Sequence, residues 1–380
     1  MNRQSRTSVI ALSLLVLLPL PLARAENGVT ATTILIGQSV SLSGPTAQLG
    51  QEMQAGAAAY FKFVNKRGGV HGRTLVLKTL DDGYEVDRTV ANVKTLINED
   101  RVFALFGLRG TAHTNAAAKI FTPARVPLFA TFSGAQSLRE PFNRYLFHVR
   151  ASYLDETDAI FRQVSSMGLS RIGVFYQNDG YGKEGRAAAE NSAKKYNVTI
   201  SALGTVEPNS SDAKPASAAI ARIQPQVVVM YASYKASAEL VREMRASQSA
   251  QFMNLSIVGA TALAKELGND ARGIGVSQVV PFPWNIGIPI VKEYQTVMTT
   301  ETGKSEYSFL TLESYLSARI LVEGLRRAGP DLTREKLIAA LETMHDENFG
   351  GFRVNFSRTD HAASKFVELT VIGKDGQILR

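Results

Sequence analysis

The sequence predicts an α/β protein of two doubly wound parallel-sheet lobes, and three observations carry that reading. Strand-like and helix-like stretches alternate with little variation from residue 32 onward. The strand stretches are continuous apolar runs rich in Val, Ile and Leu, as strands of a parallel sheet covered on both faces must be. The cycle runs to about residue 149 and then restarts, and two such runs argue for two lobes.

In the first lobe, "TILIGQS", "TLVLKTL", "VFALFGL" and "VPLFATF" read as strands, with amphipathic helices over 50–67, 87–99 and 113–122 between them. After "YLFHVRAS" the second lobe follows as helix 154–168, "RIGVFYQ", helix 182–196, "VTISALGTV", helix 214–223, "QVVVMYAS", helix 236–247 and "LSIVGAT". A third section breaks the rhythm. After "SQVVPFPWN" come helical stretches at 289–301, 308–328 and 333–344, then a β-like pair, "GGFRVNF" and "FVELTVIGKDG". Thr333 and Lys336 lack a full capping box, but "DLTREKL" after Gly329-Pro330 is a credible helix start. No Pro/Ser-rich linker separates the lobes, so the expected joins are short crossings at 147–152, at 279–285 and near 355–365. The expected lobes are then 26–149 plus 285–357, and 150–284 plus 358–380.

The amino end reads differently. Arg3 and Arg6 precede an apolar run over 9–22 that Pro19 and Pro21 break, and Ala23-Arg24-Ala25 is a small-residue cleavage signature. The expectation is a secretory signal peptide cut after Ala25, and export to the periplasm. No later stretch approaches the roughly 20 apolar residues of a membrane helix. The chain has no cysteine, which excludes disulfides, thiolate metal sites and a lipid anchor through an N-terminal Cys. The first 25 residues carry three arginines and no acid, so the net charge of +8 falls to +5 without them. That excess is spread out, with none of the Lys/Arg blocks that mark a nucleic-acid face.

Ligands of open parallel sheets bind beyond the carboxyl ends of the strands. Here those ends carry "SVSLSGPTAQLG", "GLRGTAHTNA", "TFSGAQS", "YQNDGYGKEG", "MYASYKAS" and "VGATALAK". Each alone is an ordinary turn or helix cap. Six at equivalent ends point to a cleft lined by hydroxyls, glycines and helix N-termini, which suits an anion. Enzyme signatures are missing: no G-x-S-x-G elbow, no H-E-x-x-H, no Walker loop and no EF-hand pattern. The five histidines (71, 113, 148, 345, 361) are scattered. His113, near a cleft loop, is expected to cap or lie at the surface, and Asp81-Asp82 to form a solvated turn. The N-x-S/T matches at Asn197, Asn209, Asn254 and Asn355 are read as chance. No catalytic residue, cofactor or metal is expected.

Four segments carry a family resemblance: "ILIGQSVSLSGPTAQLGQEMQAGAAAYFKFVNKRGGVHGR", "FALFGLRGTAHTNAA", "RIGVFYQNDGYGKEG" and "LESYLSARILVEGLRRAG". In these the chain resembles type I periplasmic solute-binding proteins of the leucine/isoleucine/valine-binding family, which serve ABC importers. The resemblance implies the type I periplasmic binding protein fold, a three-crossing hinge, and a monomeric clamp. The clamp closes on a small carboxylate-bearing solute and hands it to a permease with ATPase subunits in the inner membrane; nucleic acid has no part. By position, Ser43 falls at the mouth of the first lobe, and Arg109, Gly110 and Thr111 on a loop that holds part of the ligand. Phe132, Ser133, Gly134 and Ala135 match the stretch that grips the carboxylate, and Tyr181 and Tyr234 match two aromatics of the second lobe.

One departure concerns the ammonium. Where the amino-acid binders carry an acid after the "IVG" strand, this chain has Thr261, with no carboxylate before Glu266. A buried ammonium without a partner costs several kcal/mol. Arg109 adds a cation, and Phe282 and Trp284 offer an aromatic wall. Together these favour an amine-free aromatic or aliphatic carboxylate over a branched-chain or other amino acid, whose ammonium would have to meet Asp179 or Glu184. The main alternative on this fold is a soluble periplasmic sensor that presents its ligand to a signalling receptor.

Overall fold

The structure is a computed structural model that describes residues 26–380. The expected signal peptide and its cleavage site lie outside the described residues on their amino-terminal side.

The first sheet has five strands: β1 (Thr33–Val40), β2 (Thr74–Asp81), β3 (Ala104–Phe106), β4 (Leu128–Phe129) and β5 (Leu146–Phe147). Its order is β2-β1-β3-β4-β5 and every pairing is parallel. Helices α1 (Ala47–Asn65), α2 (Val86–Lys94) and α3 (Thr111–Phe121) are its crossovers. In the second sheet β6 (Arg171–Gln177), β7 (Thr199–Val206), β8 (Val227–Tyr231), β9 (Gln251–Asn254) and β10 (Gly275–Gln278) run parallel. Between and before them lie α4 (Tyr153–Ser166), α5 (Gly180–Tyr196), α6 (Lys214–Ala221), α7 (Tyr234–Arg245) and α8 (Ala260–Leu267). The all-apolar β8, "VVVMY", is buried along its whole length, as a central parallel strand covered on both faces has to be.

The last third contributes to both halves. Helices α9 (Pro289–Thr302), α10 (Phe309–Ala328) and α11 (Arg334–Leu341) follow β10. Helix α10 lies on α1 so closely that a Cβ on Gly56 would collide with the Thr311 carbonyl; only glycine allows that approach. The Thr333 side chain does cap α11, by accepting the Lys336 N–H. The expected terminal pair separates. The two-residue strands β11 (Glu347–Asn348) and β12 (Arg353–Val354) pair with each other. β13 (Glu368–Ile372) instead runs antiparallel to β10 at the edge of the second sheet, followed by β14 (Ile378–Leu379). The reason lies between them, where the chain passes from one half to the other. There Ala362 bridges to His148 in parallel, so two crossings run side by side.

"LSIVGAT" also differs from expectation. The strand is Gln251–Asn254, and Ser256–Val258 is a 3₁₀ turn ended by Gly259 at φ 76°. A short buried apolar run reads the same in either conformation, so periodicity does not distinguish them.

Candidate functional site

The carboxyl ends of the two sheets face each other across a cavity of about 10 Å³. It is lined by Tyr84, Arg109 and Gly110 from the first half and by Tyr153, Gln177, Tyr181, Ala232, Ser233 and Ile257 from the second. That volume holds about one water molecule, so a solute enters only as the halves part.

Each liner is placed by local chemistry. Asp82 is buried and receives the Ser39 hydroxyl at 2.9 Å, the Thr89 hydroxyl at 3.1 Å and the Tyr84 N–H at 2.9 Å. These bonds hold Tyr84 at φ 62°, a conformation rare for a bulky side chain, and they turn its ring inward. The ring lies 4.3 Å from the His113 ring and 4.6 Å from the Arg109 guanidinium. Gly110, at φ 97°, precedes α3, and a Cβ there would stand 2.5 Å from His113 Nδ1. Across the cavity Asp179 caps α5, accepting the Gly182 N–H at 3.0 Å and the Gln177 side-chain amide at 2.6 Å. Ser233 caps α7.

The asymmetry of this lining is chemical. Arg109 is 5% exposed, yet among the described residues its side chain makes no hydrogen bond or ion pair, and Nη1 is buried without a partner. The hydroxyls of Tyr153 and Tyr181, 2% and 4% exposed, are likewise unpartnered. Burial raises both phenols above the ordinary range and keeps them protonated donors. Among the described residues no carboxylate lines the cavity.

The expected site residues divide into three groups. Arg109, Gly110 and Tyr181 line the cavity. Thr111, Ser133 and Gly134 stand behind Tyr153: the first two share a 2.8 Å hydroxyl pair in its neighbourhood, and the Gly134 carbonyl accepts the Tyr153 N–H at 2.7 Å. The remaining residues lie elsewhere. Ser43 is exposed, with its hydroxyl and N–H donated to Asp81. Phe132 is buried and bridges by its backbone to Arg109. Tyr234 is buried at the start of α7 without lining the cavity. Thr261 lines a separate groove of about 670 Å³ with Glu52, Lys265 and Trp284. Trp284 packs there on Phe282 and Phe309, away from the cavity.

Two expectations need correction. His113 is 2% exposed, not at the surface and not a cap: its ring packs against Tyr84 at a tilt of 31°, and burial lowers its pKa so the imidazole is neutral. Asp81-Asp82 is no solvated turn. Asp82 is buried as described, and Asp81 latches the Ser43 loop. Burial opposes ionisation of Asp81, but bonds from Ser43, Gly83 and Leu42 outweigh it and hold the carboxyl well below its ordinary value. The sequence reading missed Tyr84 because of this: the loop after β2 is another strand carboxyl end, discounted for its acids. Tyr153 and Ile257 carried no such signal.

Contacts close the cavity on either side. Glu184 of α5 accepts the N–H groups of Gln136 and Ser137 from the opposite half at 3.1 and 3.2 Å. Asn209 donates to Glu85 at 2.5 Å. A Cβ on Gly180 would stand 3.1 Å from the Ala112 nitrogen, so the starts of α5 and α3 meet. At the crossing, Arg150 is fully buried beside Glu156 at 3.3 Å, Glu313 at 3.7 Å and the Ser256 hydroxyl.

Two parallel-sheet halves joined by crossing strands around a buried polar cavity define a two-lobed solute-binding clamp. Residues 33–377 match the family model described as periplasmic binding protein, and the chain belongs to that family. It is similar to a possible leucine/isoleucine/valine-binding protein from Rhodopirellula baltica SH 1 (33% identity, TM-score 0.86, covering 92% of this chain and 97% of that one). It is also similar to a substrate-binding periplasmic protein from Ralstonia solanacearum (32% identity, TM-score 0.86, 91% and 99% covered). The Leu/Ile/Val-binding protein homolog 8 of Brucella abortus is 22% identical over 348 residues, 86% of this chain and 85% of that protein.

Proposed function

We propose that this protein is the exported substrate-binding component of an ABC importer, which closes on a small carboxylate-bearing solute and delivers it to a permease and its ATPase subunits. It works as a monomer and performs no chemical step on the solute. Its moving bodies are 26–149 plus 285–357, and 150–284 plus 358–380, turning about the three crossings. Closure then follows from the solute binding the closed form better than the open one. The observation that carries the reading is the cavity itself: liners from both lobes converge on it, and the cation among them, Arg109, has no partner among the described residues.

The test is a thermal-shift screen of protein purified from the periplasm and stripped of carried-over solute. A small carboxylate at 100 times its Kd stabilises it by about 2.7 kcal/mol. Stabilisation by a sugar or polyamine alone, with no carboxylate effective, contradicts the proposal.

A further inference from the structure

Resting on that reading, we infer that the solute is a carboxylate without an ammonium group, seated by Arg109 Nη1 together with the phenol hydroxyls of Tyr153 and Tyr181.

The three groups are each more than nine-tenths buried, line one cavity and lack partners. All three donate, and a carboxylate only accepts, with about four lone-pair directions for them to fill. A guanidinium held out of water without an anion is costly, and an anion placed against it removes that cost.

To an ammonium, which only donates, the same lining offers neutral acceptors such as the Gln177 amide and the Ser233 hydroxyl, but no anion. The nearby acids stand off the cavity wall and are tied to other groups: Asp179 accepts the Gly182 N–H and the Gln177 amide, Asp82 accepts from Ser39, Tyr84 and Thr89, and Glu184 accepts from the backbone of Gln136 and Ser137. Thr261 lines the separate groove. An α-ammonium would therefore enter a buried space beside Arg109 with no carboxylate on the cavity wall to meet it. The Tyr84 ring packs against both His113 and the Arg109 guanidinium and so helps to position the guanidinium.

Isothermal titration of stripped, periplasm-purified protein tests this with matched pairs: leucine against 4-methylpentanoate, phenylalanine against 3-phenylpropanoate, with benzoate and inorganic phosphate alongside. The expected result is binding of at least one amine-free acid and none of its amino-acid partner. Arg109→Gln weakens that binding about 10- to 150-fold and Tyr181→Phe about tenfold, while Arg109→Lys recovers part of the loss. Binding of leucine or phenylalanine in preference to the deaminated acid overturns this inference and leaves the importer reading standing. Binding of phosphate with no carboxylate overturns both. Equal affinity in wild type and an Arg109→Gln protein of unchanged melting temperature removes Arg109 from the site and overturns the inference. Should Arg109→Gln fail to fold, Tyr181→Phe decides: undiminished affinity there contradicts the donor set.

Discussion

Two arginines are buried among the described residues, and they are kept in opposite ways. Arg150, at the first crossing, sits between Glu156 and Glu313 with the Ser256 hydroxyl against it, and Glu156 in turn accepts the Ser256 N–H at 2.8 Å and the Ser277 hydroxyl at 2.7 Å. Arg109, in the cavity, has an aromatic face at 4.6 Å and no anion. Cation–π contact returns roughly 0.5–2 kcal/mol, short of what a buried charge loses in leaving water. Internal charges complete the first arginine and belong to the frame. The second is completed from outside, and belongs to the site.

The comparison breaks first at Arg150. Replacing it with Met leaves Glu156 and Glu313 buried beside each other without a cation, and stability falls by about 3–5 kcal/mol, read by urea unfolding. A loss below 1 kcal/mol would mean the cluster is not a charged frame.

Glu313 sharpens the same point through pH. Burial, offset in part by Arg150 and reinforced by Glu156, raises its carboxyl from an ordinary 4.5 to about 7. Between those values the folded protein holds a proton that the unfolded chain has released, so stability declines as pH rises through that window. Glu313→Gln cannot release it, so the gap between variant and wild-type melting temperatures changes in the variant's favour from pH 4.5 to 7. Parallel melting curves across that range would contradict the assignment.

The smallest effect expected is at the rim. Glu184→Gln weakens two bonds that span the lobes in the closed form, about 1 kcal/mol together, so solute affinity drops about fivefold, mostly through faster release. Unchanged release kinetics would show that the rim does not hold the lobes together.

How far the sequence reveals all this depends on the kind of signal. The parallel strands were legible because burial on both faces demands unbroken apolar runs such as "VVVMY". The 3₁₀ turn at Ser256–Val258 was not, since a buried turn and a buried strand share that composition. Within the site, Arg109 and Tyr181 stand out as a charge and an aromatic on strand-end loops. Thr261 and Ser43 sit on equivalent loops yet outside the cavity, because loop position fixes which end of a sheet a residue occupies and not which way it points. Tyr84 was hidden behind two aspartates whose hydrogen bonds turn its ring inward.

The measurement that bears most directly on the central claim is the melting temperature of the stripped Arg109→Gln protein beside stripped wild type, with Arg150→Met as the reference for a paired arginine. Without solute the halves can part and water reaches Arg109, so removing its charge breaks no internal bond and is expected to leave the melting temperature equal or higher. A fall comparable to that of Arg150→Met would show that Arg109 has a structural counter-charge and would contradict its assignment to the solute.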